Sequence, residues 1–92
     1  MYIVTTSQII TVTSAGTLCP TTALVGRKYI MLQNIGNVTV YVGGTMVTAN
    51  TAGTGGFQMM PYGTWRENYS DKNFIYGRTQ SDNCQVLIQE GK

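Results

Sequence analysis

The chain is predicted to be all-β: a small antiparallel β-sandwich or barrel of jelly-roll type, with about eight short strands. Three observations predict this. Short β-branched and aromatic runs recur along the 92 residues, and such side chains suit a pleated, half-buried surface. Gly, Asn, Asp and Pro punctuate the runs at turn spacing. No window shows the i, i+3, i+4, i+7 apolar stripe of an amphipathic helix. The length fits one domain, residues 1–92, in which 1–17 form either an N-terminal arm or the first strands.

Strands are expected at 2–5, 8–13, 28–34, 38–42, 57–60, 64–69, 73–77 and 85–90, with a further extended segment over 21–25. The clearest unit runs from Arg27 to Val42 and reads as a hairpin, with Asn34-Ile35-Gly36-Asn37 as its turn. Period-two alternation puts Ile30 and Leu32 on one face and Tyr29 and Met31 on the other. Val38, Val40 and Val42 share a face opposite Thr39 and Tyr41. The first strand is thus apolar on both sides, which suits a central strand or one covered by another subunit. The last strand repeats the pattern: Val86 and Ile88 point one way and Leu87 the other. Trp65 and Tyr69 share a face with Glu67. Met60-Pro61-Tyr62-Gly63 fits a type I turn, with Pro second and Gly fourth. The long loop 43–56 is rich in Gly and Thr, and its apolar Met46 and Val47 are expected to dock on the body or on a neighbour.

Composition narrows the chemistry. Charged residues are 11%, the net charge is +2 and there is no histidine. Ser or Cys nucleophiles usually need a histidine base. The carboxylates Glu67, Asp71, Asp82 and Glu90 form no evident acid/base pair. The basic residues are scattered, Arg27-Lys28 being the one adjacent pair, and they read as solvated charge rather than a nucleic-acid surface. Cys19 and Cys84 are too few to close a zinc site and read as small buried hydrophobes. The Gly-rich 53–56 leads into a strand rather than a helix, so it is no phosphate cradle. No apolar run approaches the ~20 residues of a membrane helix. The expectation is a non-enzymatic chain, made in the cytoplasm, without cofactor, metal, membrane or nucleic-acid partner.

The stretch 18–48, LCPTTALVGRKYIMLQNIGNVTVYVGGTMVT, resembles a recurring pattern in small tailed-bacteriophage virion proteins. That pattern has a Pro, a small-residue extended segment, Gly-Arg, an apolar strand ending in Gln-Asn, a Gly-containing turn and a strand ending Val-Tyr-Val-Gly-Gly. The resemblance continues through GFQMMPYGTW (56–65), where Tyr62 intervenes between Pro61 and Gly63, and FIYGRTQSDNCQVLIQEG (74–91). Residues 1–17 lie outside it. It implies a virion β domain, often trimeric, most simply a capsid decoration (cement) protein bound across subunits of the major capsid protein or to other virion proteins. The alternative it leaves is a domain of a tail, fibre or head spike that binds host receptor or glycan, with Tyr41, Tyr62, Trp65, Tyr69 and Tyr76 as stacking candidates. For the oligomer and capsid interface the expected residues are Tyr2, Ile3, Val4, Tyr29, Met31, Tyr41, Met46, Val47 and Leu87.

Overall fold

The computed structural model describes residues 4–20, 22–44 and 56–92. Among these residues are eight strands: β1 (Val4–Val12), β2 (Thr17–Leu18), β3 (Tyr29–Asn34), β4 (Val40–Gly43), β5 (Phe57–Met59), β6 (Thr64–Glu67), β7 (Tyr76–Arg78) and β8 (Cys84–Gly91). They form two four-stranded sheets of order β1-β8-β3-β6 and β2-β7-β4-β5, with every pairing antiparallel. Strand 1 pairs with 8, 2 with 7, 3 with 6 and 4 with 5. That nesting is one long hairpin rolled into two layers, the jelly roll.

The inner faces follow the period-two pattern. On β8 the inward Cys84, Val86 and Ile88 are buried, as are Ile30 and Leu32 on β3 and Val40 and Val42 on β4. Val12, Cys19, Met59 and Ile75 complete the core, with Ile10, Val38, Trp65 and Tyr69 packed against it. Trp65 and Tyr69 meet edge to face at 5.8 Å and 79°. Gly77 lies between the layers. A Cβ there would sit 3.2 Å from Val12, 3.3 Å from Val40 and 3.4 Å from the Cys19 sulfur. Both cysteines are buried free thiols.

Four expectations are corrected. The strands expected at 2–5 and 8–13 run together over the described residues, which exclude 2 and 3. Residues 4–12 make one strand, β1, with a register shift between Val4 and Thr6. The two-residue β2 was not anticipated, and residues 22–25 form no strand. The segment 27–42 is not a hairpin, because β3 and β4 lie in different sheets and the connection crosses between them. Alternation assigns faces to a strand but does not choose its neighbour. The crossing is held by the buried Asn34 side chain. Its Nδ2 donates to the carbonyls of Val38 (2.6 Å) and Met59 (2.9 Å), and its Oδ1 accepts from Gly36 N–H (2.9 Å) and the Cys84 thiol (3.0 Å). One amide thereby joins both layers with its donors and acceptor engaged.

The fourth correction is the 60–63 turn. Gly63 N–H donates to the Met60 carbonyl at 2.7 Å, but Tyr62 has φ +64°, which excludes type I and matches type II. The turn docks on β3, with Tyr62 N–H donating to the Asn34 carbonyl at 2.7 Å. Tyr62 is 75% exposed, so its ring contributes little packing. Tyr62→Gly is expected to stabilise the fold by about 0.5–1 kcal/mol: relief of a ~1–2 kcal/mol left-handed penalty, less the extra freedom of glycine when unfolded. Thermal unfolding checks this, and a lowered midpoint would contradict it.

Burial pushes the Cys19 thiol up from the ordinary 9.0 to about 12. The unfolded chain therefore loses this proton from pH 9 upward, while the folded chain keeps it until about 12. The contribution to stability is unchanged below pH 9 and falls by about 1.4 kcal/mol per pH unit above it. Cys19→Ala is expected to flatten that slope between pH 9 and 10 in urea unfolding; an unaltered slope counts against it.

Candidate interaction surface

The outer face of the β1-β8-β3-β6 sheet follows from register. Ser7 lies opposite Gln89, which lies opposite Met31, which lies opposite Arg66. In the next row Ile9 lies opposite Leu87, Leu87 opposite Gln33 and Gln33 opposite Thr64. Ile9, Leu87 and Met31 thus run diagonally across three strands, within reach of one another on one face. Ile9 is 57% exposed, and Leu87 and Met31 are half-buried. Around them stand Ser, Thr and Gln, with Arg66 at the side. Two of the expected interface residues, Met31 and Leu87, are therefore brought together, and Ile9 joins them.

The sheet ends in β1, which is paired on one side only among the described residues. Its nine residues, VTTSQIITV, carry no charge. Natural edge strands are usually blunted by charge, proline or bulges. Among the described residues β1 carries a register shift between Val4 and Thr6, and no described strand pairs with its other side.

The other expected interface residues divide differently. Tyr29 and Tyr41 lie on outward faces by alternation, yet they are only 6% and 5% exposed. The expectation that their side chains stand outward and open is corrected: the chain itself covers them, and alternation reports a face rather than its cover. Val4 opens β1 opposite Gly91. Tyr2, Ile3, Met46 and Val47 lie outside the described residues.

The expectation that the scattered basic residues are solvated fails at Arg27. Arg27 and Glu90 are 3% and 1% exposed and pair at 3.0 Å. The Arg27 guanidinium also donates to the carbonyls of Tyr69 (3.1 Å), Ser70 (2.6 Å) and Asn73 (2.7 Å). Glu90 accepts from Leu24 N–H at 3.0 Å and from the Thr6 hydroxyl at 3.3 Å. Nearby, Gly26 N–H donates to Asp71 at 3.0 Å. This cluster locks the loops before β3 and after β6 onto β8 and β1. It fixes the edge and outer face described above, and Val25 and Phe74 stand exposed on those same loops.

At the opposite end of β3, three connections converge: 35–39, 60–63 and 79–83. They border an open hollow of about 400 Å³ lined by residues that include Asn37, Tyr41, Pro61, Thr79 and Asp82. Among the described residues, no group of three or more His, Cys, Asp or Glu side chains could hold a metal ion, and no helix is long and apolar enough to cross a membrane. Comparison of the chain with family models, curated proteins and solved structures finds no match.

Proposed function

We propose that this chain is a structural protein of a tailed-phage virion, a capsid decoration protein that adds contact area across shell subunits as a homo-oligomer, most simply a trimer. The reading joins the sequence resemblance over 18–48, 56–65 and 74–91 to one observation. An apolar diagonal of Ile9, Leu87 and Met31 borders an uncharged nine-residue strand edge. A partner strand can add to such an edge through main-chain hydrogen bonds while side chains of the adjoining face supply selectivity. An interface of ordinary size buries ~800 Å² per partner, and repeated copies multiply the contact that subunit separation must break. The mechanism is binding alone, with no bond made or broken. Jelly rolls recur in viral capsid domains, which supports the reading by analogy of fold.

The second reading, a receptor- or glycan-binding domain of a tail, fibre or spike, draws on the hollow at the loop end. Copy number in purified particles separates the two. A number that tracks the shell subunits is the expected result. A number that matches a tail or vertex component overturns the decoration reading.

A further inference from the structure

We propose that the end of the molecule carrying Val25 and Phe74 docks on an anionic lipid bilayer, with both side chains entering the headgroup region and three lysines facing the lipid phosphates. Val25 is 78% exposed and Phe74 63%. Single exposed apolar residues are ordinary, but these two are presented together by anchored backbone. Val25 lies between Leu24, whose N–H donates to Glu90 at 3.0 Å, and Gly26, whose N–H donates to Asp71 at 3.0 Å. Phe74 follows Asn73, whose carbonyl accepts from the Arg27 guanidinium at 2.7 Å. The buried Arg27–Glu90 pair, which is costly to desolvate, therefore holds the chain on one side of Val25 and immediately before Phe74. Asp71 ties the two loops to each other between the tips.

The same anchoring gathers charge that the sequence scatters. Lys28 follows Arg27, and its N–H donates to the Gly91 carbonyl at 2.8 Å, beside Lys92. The Lys92 side chain passes Gly26, its Cε lying 3.8 Å from where a Cβ would stand. Lys72 adjoins Asp71, which holds Gly26. All three lysines are exposed. The carboxylates at this end are Asp71, half-buried against Gly26, and Glu67 at the end of β6 beside Arg66. The lysines and Arg66 outnumber them. Cations around apolar tips call for a partner that is anionic at its surface and apolar beneath, which is the layering of an anionic bilayer. Lipid also receives protruding side chains without a matching pocket. A nucleic-acid strand offers phosphate but nothing for an aliphatic tip such as Val25. The expectation of no membrane partner follows from the lack of a spanning run, and contact at the surface needs none. The proposal does not rest on the assembly reading.

The test is co-sedimentation of the full chain with vesicles of phosphatidylcholine alone and of phosphatidylcholine mixed with phosphatidylglycerol. Partition into the mixed vesicles is expected to exceed partition into the neutral ones by about tenfold or more, and to fall with added salt. Lys72→Glu is expected to lower it about tenfold. The double variant Val25→Ser, Phe74→Ser is expected to lower it by a similar factor. All three positions are exposed, so the unfolding midpoint of the free chain is expected to stay where it is. Phe74→Trp places an indole at the tip, and its emission is expected to shift to the blue with mixed vesicles, while the wild-type emission from Trp65 stays unchanged. Any of four results overturns the proposal: no sedimentation with mixed vesicles, equal partition into both kinds, wild-type partition by the double variant at an unchanged midpoint, or tighter binding to polyglutamate or a DNA oligonucleotide than to mixed vesicles. Tip variants that leave vesicles yet still occupy phage heads would leave the assembly reading untouched.

Discussion

Replacing Arg27 with methionine is expected to lower stability by about 3–5 kcal/mol, because it leaves the Glu90 carboxylate buried without its counter-ion. The loss has two parts. Glu90 retains only its bonds from Thr6 and Leu24, and the carbonyls of Tyr69, Ser70 and Asn73 lose their shared donor. Glu90→Gln is expected to cost less, since an amide oxygen can still accept from Arg27 and from Leu24 N–H. The double variant Arg27→Met, Glu90→Leu is expected to recover part of the loss, as replacement of a buried ion pair by apolar groups often does. Urea unfolding at fixed chain concentration measures all three. A loss below about 1 kcal/mol for Arg27→Met would place the pair among weakly coupled surface charges.

The second large effect is at Gly77. The Cβ of any other residue meets Val12, Val40 and Cys19 at 3.2–3.4 Å, and valine adds two further methyl groups. Gly77→Val is expected to cost about 3 kcal/mol or more, at the top of the range for overpacked cores. The partner variant Val12→Ala should relieve part of it, giving a non-additive cycle. Equal costs for Gly77→Val in the wild-type and Val12→Ala backgrounds would contradict close packing between the layers at this point.

The residues that made the fold class legible are those with strict alternation. Val86, Leu87 and Ile88, and Ile30, Met31 and Leu32, divide between faces as their spacing requires. Glu90 keeps the same phase as Cys84, Val86 and Ile88, so its inward position was readable from spacing alone. Its partner was not, because Arg27 lies 63 positions away in a loop. The β3–β4 crossing was misread because Asn34-Ile35-Gly36-Asn37 has the composition of a hairpin turn. What sends the chain to the other layer is the Asn34 side chain, whose partners Met59 and Cys84 are distant in sequence. β2 is two residues long, too short to show any period. Tyr29 and Tyr41 show the same limit from the other side: alternation put them on outward faces, and tertiary cover buried them. Of the apolar diagonal, Met31 and Leu87 were legible as outward residues, whereas their alignment with Ile9 appeared only with the register.

We propose that the chain acts through contact at the outer face of the β1-β8-β3-β6 sheet. The most direct measurement is retention on phage heads in co-sedimentation, comparing the wild-type chain with Ile9→Lys and Leu87→Lys. Both positions lie on the solvent side of the sheet, so the unfolding midpoint of the isolated chain is expected to change little. A lysine ammonium trapped in an interface without a partner is expected to reduce retention tenfold or more. Wild-type retention by both variants, at unchanged stability, would contradict the claim.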